Sequence, residues 1–280
     1  MNDWYTEIQQ KASNANIQQA LFRLESAVVV AGTLLLTFLL PRPFPWWPVW
    51  AWPVLGLLAW AIVIYSSLTD PDTYGTVIWQ LLCEKLPVKL IEDATMRRQV
   101  NAALAYQRRI EAAAYRYRDQ ADIHPQLAAL AERFAAWMEL LHRLARYQDT
   151  YTRDYRIADL RKQLPQEIES LVSRRKFERN PQIQQRLDAA LEEVGRAWET
   201  LRLLEAEMQQ GPARMTQQLS DLERLYGEVQ PLAAQLKLAG GIGNRLQNDI
   251  QEQVERLSGV LQNIDRLYSA ALEASHARKT

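Results

Sequence analysis

The chain has 280 residues, with 33 basic and 33 acidic side chains and therefore a formal net charge of zero. This balance excludes an overall field that would attract nucleic acid or steer an acidic substrate. The single cysteine, Cys83, excludes an intramolecular disulfide and a zinc site built from thiolates.

Residues 1–25 carry apolar side chains at a loose helical spacing and have no basic cluster at their start. A secretory signal would have its apolar core nearer the start and small residues after it, whereas this apolar run continues into a group of prolines. We therefore predict an N-terminal amphipathic helix that is retained. Two interpretations stay open, a helix lying on a membrane surface and a soluble helix that leads into the next segment.

The stretch 27–65 is almost wholly apolar, with Arg42 as its only charged side chain and several prolines near its middle. A bilayer core of about 30 Å is crossed by about 20 apolar helical residues. Since this stretch is about twice that length, we predict a hairpin of two transmembrane helices within 21–68, at about 21–40 and 46–65. Prolines cannot continue the first helix and are suited to the start of the second.

Aromatic residues mark the two ends of the second predicted crossing, as they do in the interfacial belts of membrane proteins. The predicted interface anchors are Trp46, Trp47, Trp50, Trp52 and Tyr65. Basic residues flank the hairpin on both sides, while its short loop offers Arg42 alone. This bias predicts both termini in the cytoplasm, and we expect a bacterial inner (plasma) membrane.

Residues 69–91 form a connector that is too apolar for a free linker. After a turn-rich start it carries Val77, Ile78, Trp79, Leu81, Leu82 and Leu86. These side chains could lie in the membrane interface or pack on the helices that follow. Cys83 is interpreted as a buried structural thiol, with lipid acylation as the alternative.

From residue 92 to the end, apolar side chains recur at steps of three and four, the spacing of helices that pack along one stripe. The clearest seam is Leu127, Leu130, Phe134, Trp137, Leu141 and Leu144. The other seams are Met96–Tyr117 with Gln107 as a polar member, Ile183–Met208, Met215–Val229, and Leu246–Ala271 with Gln253 inside it. We predict an all-α fold: the transmembrane hairpin, then an elongated antiparallel helical bundle or coiled coil over 92–280.

Capping residues, glycines and prolines mark the predicted boundaries between helices of roughly 30 residues. The predicted starts are His124-Pro125 and Asn180-Pro181, the predicted break is Gly211-Pro212, and the predicted reversal is GGIGN at 240–244 with Asn244 as N-cap. Pro165 and Pro231 lie inside helical stretches, which we expect them to kink or interrupt.

Reactive motifs are missing from the sequence. It contains no HExxH, no GxSxG and no Walker A motif, and its only histidines are His124, His142 and His276. Glu139 and His142 share a helix face, where a surface ion pair is favoured over half of a metal site. We predict no catalytic residues, no metal and no cofactor, and therefore a protein that is not an enzyme.

One patch is strongly basic. Arg174, Arg175, Lys176 and Arg179 surround Phe177. Such a cluster can meet an anionic partner, or it can stabilise the end of a helix through the helix dipole. A second basic region carries Tyr106, Tyr115 and Tyr117, which we interpret as bundle core and not as a platform for stacked bases.

These features favour a membrane-anchored coiled-coil scaffold, tether or assembly subunit that acts by protein–protein binding. The expected partners are the lipid bilayer and further copies of the chain or another helical protein, with no nucleic acid and no small-molecule substrate. The alternative is an oligomeric pore or the membrane subunit of a transport complex, whose close contacts would be made by Gly32, Ser26 and either Thr33 or Thr37.

Overall fold

A computed structural model describes residues 5, 7, 8, 10–12, 24–39, 50–121, 123–235 and 240–276. Helix makes up 92% of the structure. Within these residues there is no β-strand, and the residues described between 5 and 12 are helical. The predicted all-α class is confirmed, and so is the prediction of a helical bundle.

Eight α-helices and one short 3₁₀ helix follow one another in the described part of the chain after residue 12. They are α1 (Leu24–Leu39), α2 (Ala51–Thr69), α3 (Pro71–Lys85), the 3₁₀ helix (Val88–Leu90), α4 (Ala94–Arg116), α5 (His124–Arg153), α6 (Tyr155–Phe177), α7 (Pro181–Gln235) and α8 (Gly240–His276). The second apolar helix therefore begins at Ala51 and not at Trp46, and it ends at Thr69.

Aspartates cap three of these helices by accepting hydrogen bonds from backbone N–H groups of the first turn, which have no partner inside the helix. Asp70 caps α3, and a proline follows it at the first helical position. Asp93 Oδ1 accepts from the N–H of Thr95 at 2.7 Å and of Met96 at 2.9 Å, which starts α4. Asp154 caps α6.

The chain divides into two compact units, and each is made of stretches that are distant in sequence. Unit one comprises 1–87, 103–136 and 223–248, and unit two comprises 88–102, 137–222 and 249–280. Each unit has a helical core.

The core of unit one contains α3 as well as the later helices. The predicted connector residues Val77, Ile78 and Leu82 are buried there, so this face packs on protein. Gly75 allows the close approach, since a Cβ at that position would lie 2.8 Å from the carbonyl oxygen of Arg108. Other large side chains of this core include Tyr5, Leu104, Ile110, Leu127, Leu130 and Phe134.

The core of unit two follows the predicted seams. Its buried side chains include Trp137, Met138, Leu141, Leu144, Leu201, Leu204, Met208, Leu222, Leu257 and Ile264. The buried indole of Trp137 donates to Gln218 Oε1 at 2.7 Å, and Gln218 Nε2 donates to Gln253 Oε1 at 3.2 Å. Gln253 thus belongs to a polar chain that gives the buried indole N–H a hydrogen-bond partner.

Two predicted starts are confirmed and one predicted break is wrong. Helix α5 begins at His124 and α7 begins at Pro181. Helix α7, however, runs for 55 residues straight through Gly211-Pro212. The reason is packing, because Gly211 is itself a buried member of the seam between Met208 and Met215.

Further boundaries also differ from prediction. Helix α8 begins at Gly240, so Asn244 lies inside the helix and is not an N-cap. Helices α6 and α7 continue through Pro165 and Pro231, which do not interrupt them. The boundary between Arg153 and Tyr155 was not predicted, and it is marked by the N-cap Asp154.

Candidate functional site

The apolar helices α1 and α2 pack against each other at a point where one of them has no side chain. A Cβ placed on Gly56 would collide with the side chain of Thr33. A small residue facing a threonine lets two helices approach closely, which is typical of helices that associate in lipid. The geometry matches a hairpin of two adjacent apolar helices.

The outward side of this hairpin is unusually apolar. Of the 20 large apolar side chains that are exposed in the described residues, 14 lie between positions 28 and 65. They are Val28, Val30, Leu34, Leu35, Leu36, Phe38, Leu39, Trp50, Val54, Leu55, Leu57, Leu58, Ile62 and Tyr65. Phe38, for example, is 83% exposed. An apolar surface of this extent is expected to be covered by lipid or by another protein.

The predicted interface anchors are only partly within the structure. Trp50 and Tyr65 are exposed, and Trp52 is half-buried. Trp46 and Trp47 lie outside the described residues.

The length of the apolar helices α1 and α2 bears on whether each could cross a membrane alone. Over the described residues, no single helix combines the length and the apolar character that a membrane crossing needs. The segments 52–66 and 71–85 meet the requirement as a pair, with a bend of 62° between them. The second of these segments carries the face that is buried in unit one.

Two hydroxyl groups that were predicted at the close contacts of a pore donate hydrogen bonds within their own helix. Thr33 Oγ1 donates to the carbonyl of Val29, and Thr37 Oγ1 donates to the carbonyl of Thr33, both at 2.7 Å. The space next to Gly32 is open. The side chain of Ser26 lies outside the described part of the chain. Of this set, Thr33 lies at a close contact, and that contact is with Gly56 of α2.

The basic patch lies at the end of a helical hairpin that we call the arm, residues 165–193 of α6 and α7. None of these residues is buried, whereas the seam of α7 is buried from Val194 onward. Arg175 forms an ion pair with Asp188 across the arm. The predicted patch residues Arg174, Arg175, Lys176 and Arg179 are all exposed.

A buried polar cluster in unit one was not predicted. Glu111 is only 2% exposed, and its Oε1 accepts from Tyr5 Oη and, at 2.7 Å, from Gln107 Nε2. Gln107 Nε2 also donates to the carbonyl of Ala131 at 3.0 Å. Burial raises the pKa of Glu111 to about 7, and the two hydrogen bonds oppose this shift. The Glu111 carboxyl group links Tyr5 to α4, and the Gln107 amide links α4 to α5.

Two tyrosines of the second basic region, Tyr106 and Tyr115, take part in ring contacts within unit one. Tyr115 stacks on Tyr74 with ring centroids 4.2 Å apart, and Tyr106 meets Tyr226 at 5.5 Å. Arg109 lies over both rings of the second pair. These contacts agree with the interpretation of the tyrosines as packing residues.

Unit two contains a groove of about 250 Å³ lined by Arg143, Arg146, Tyr147, Thr150 and Tyr268. Both tyrosine hydroxyls in it already donate to carboxylates at 2.5 Å, Tyr147 to Asp265 and Tyr268 to Asp154. These bonds fix the tyrosines as helix-to-helix contacts.

We next consider the side chains that could bind a metal ion. In the part of the chain that the structure describes, no group of three or more His, Cys, Asp or Glu side chains could hold a metal ion. His142 is buried, so the predicted surface position of the Glu139–His142 pair is wrong. The cause is the seam, since His142 follows the buried Leu141 on the inner side of α5.

Comparison with known proteins adds no family. No protein-family model, no curated protein and no solved structure matches this chain.

Proposed function

We propose that this chain is a membrane-anchored helical scaffold, in which residues 24–69 form a hairpin embedded in a lipid bilayer. The remaining helices bind other proteins or further copies of the chain. The protein acts by binding and not by catalysis. The observation that supports this most directly is the exposed apolar surface of α1 and α2.

The exposed surface is best explained by lipid. In water, each large apolar side chain left exposed forgoes about 1.5–3 kcal/mol of burial. The hairpin exposes 14 such side chains. Away from their ends, the two helices pair their backbone N–H and C=O groups internally, which a bilayer requires.

Helix length bears on how the hairpin sits in the bilayer. At 1.5 Å per residue, the 16 residues of α1 extend about 24 Å and the 19 residues of α2 extend about 28 Å. The hydrocarbon core is about 30 Å thick, and a bilayer thins locally around a shorter helix at modest cost. A full crossing by α1 needs a further turn before Leu24. We propose two crossings, with both termini in the cytoplasm of a bacterium.

The scaffold part of the proposal is supported by the arm. Because no residue of the arm is buried, the arm contributes little to the core of its own unit, and its exposed side chains are available to a partner. Self-association is testable directly. Native mass measurement in mild detergent should detect an oligomer, and a purely monomeric protein would remove this part of the proposal.

Cysteine accessibility tests the membrane hairpin. In a Cys83→Ser background, Arg42→Cys changes a position that follows α1 and precedes α2 in the sequence, and Asn101→Cys is an exposed control on α4. In sealed membrane vesicles, a membrane-impermeant maleimide should label the two positions from opposite faces. Labelling of both from one face would contradict two crossings. Release of the chain by alkaline carbonate would contradict membrane embedding altogether.

A further inference from the structure

The tip of the arm combines exposed apolar and exposed basic side chains. Phe177, the last residue of α6, is 79% exposed, and Val172 and Ile183 on either side of the reversal are exposed as well. Isolated exposed apolar residues are common on protein surfaces. An exposed phenylalanine at the end of a helix, within a cluster of cations, is a more specific arrangement.

The acidic side chains near the tip are already engaged. Asp188 is paired with Arg175. Glu178 turns back on the chain, where its Oε1 accepts from the N–H groups of Arg179 and Asn180, each at 2.9 Å.

Three cations therefore remain available. Within the described residues, the side chains of Arg174, Lys176 and Arg179 form no ion pair. They surround the exposed Phe177 in sequence and share the tip with it. Their charge can be matched by an external anion.

We propose that the tip of the arm binds the surface of an anionic lipid bilayer. Phe177 enters the interfacial region, and the cations Arg174, Lys176 and Arg179 contact phosphate groups of the lipids. Cations favour anionic membranes, and an aromatic side chain adds binding through its buried apolar area. The tip lies in unit two and the hairpin in unit one, so this inference does not rest on the proposed hairpin.

Lipid fits the tip better than nucleic acid does. Binding of single strands uses several aromatic side chains on which successive bases stack. The tip offers one aromatic ring, together with the aliphatic side chains Val172 and Ile183. Aliphatic side chains next to cations suit the boundary between headgroups and acyl chains.

A structural role for the cations alone does not account for the arrangement. Cations near the C-terminus of α6 also interact favourably with the helix dipole. That role would be met equally well with a polar residue at position 177. The exposed phenylalanine therefore provides the discriminating variant.

The test uses the full chain, reconstituted in nanodiscs of neutral phosphatidylcholine. Binding is measured by flotation with vesicles of phosphatidylcholine alone, or of phosphatidylcholine mixed with phosphatidylglycerol. Each cation near an anionic surface contributes about fivefold in affinity. The triple variant R174Q/K176Q/R179Q should therefore bind the anionic vesicles roughly 100-fold more weakly, and Phe177→Ser about tenfold more weakly.

Matched controls come from the same unit. The variant K162Q/R202Q/R266Q removes three exposed cations away from the tip, and Tyr155→Ser removes an aromatic side chain that is 72% exposed. Both should bind as the unaltered chain does. Far-UV circular dichroism checks that every variant keeps its helix content.

Several results would overturn the proposal. They are equal binding to neutral and anionic vesicles, an unchanged affinity of Phe177→Ser, or an equal loss in the control triple variant. If the chain bound an oligonucleotide more tightly than it bound the anionic vesicles, and if Phe177→Ser left that binding unchanged, the tip would be assigned to nucleic acid instead.

A separate observation shows whether the proposal that residues 24–69 are embedded in a bilayer is wrong. In that case the chain does not remain with the nanodisc on size-exclusion chromatography. Vesicle binding is then measured on the free chain, with the same variants and the same expected ratios.

Discussion

Glu111 gives the sharpest prediction about stability. Its buried carboxyl group accepts hydrogen bonds from Tyr5 and Gln107, and burial raises its pKa from 4.5 to about 7. The folded state therefore holds this proton up to about neutral pH, while the unfolded chain loses it near pH 4.5. Between these values the folded state binds more protons, so stability falls as pH rises.

The size of the effect follows from the shift. One pKa unit corresponds to about 1.4 kcal/mol, so this carboxyl group should lower the free energy of unfolding by about 3 kcal/mol between pH 4.5 and pH 7. Glu111→Gln keeps an oxygen that can accept from Tyr5 Oη and Gln107 Nε2 but cannot ionise. The variant should match the unaltered chain at acid pH and exceed its stability by up to about 3 kcal/mol at about pH 8.

Urea unfolding of the full chain in neutral detergent, followed by circular dichroism across this pH range, measures the difference. Glu193→Gln, which removes an exposed carboxylate on the arm, is the control and should behave as the unaltered chain does. A Glu111→Gln variant that is less stable at about pH 8 would refute the reasoning. That result would show that interactions beyond the hydrogen bonds from Tyr5 and Gln107 stabilise the carboxylate in the folded state.

Two further predictions concern packing and capping. Gly75→Ala should destabilise unit one by about 1–3 kcal/mol, because its Cβ would meet the carbonyl oxygen of Arg108. Gly195→Ala, where nothing lies within 4 Å of the added Cβ, should stabilise the chain by up to about 1 kcal/mol. Both variants are measured by urea unfolding, and an equal change in the free energy of unfolding for the two would contradict the packing account. Asp154→Ala should cost about 1–2 kcal/mol, since it removes the N-cap of α6 and the acceptor of Tyr268 Oη. The hydrogen bond from Arg156 lowers the pKa of Asp154 from 3.8 to about 2, so its contribution is present above pH 4 and lost as pH falls towards 2. If thermal unfolding of Asp154→Ala depended on acid pH in the same way as that of the unaltered chain, this role would be disproved.

The apolar spacing predicts most of the core. All six members of the seam from Leu127 to Leu144 are buried, because the period of three and four reports directly which face of a helix meets its neighbours. The same spacing predicts burial of Ile183, Leu187 and Ala190, which are not buried. Periodicity identifies a face and not the presence of a partner for it.

Local rules fail where packing overrides them. Gly211-Pro212 has the composition of a helix boundary, yet the buried seam on both sides holds one continuous helix. Glu111 shows the opposite problem. A glutamate next to Ile110 gives no sign of burial by itself, and only the position of Gln107 one turn earlier in the seam hinted at a polar partner.

The interleaved origin of unit one has a consequence for biosynthesis. Its last stretch, 223–248, leaves the ribosome on the order of ten seconds after the first, so the apolar segments emerge well before their final neighbours exist. Early capture of such segments, by a chaperone or by an insertion factor, would prevent aggregation during this interval. For the same reason, a chain truncated before residue 223 would leave unit one unfinished, and neither unit can be obtained by cutting the gene at a single point.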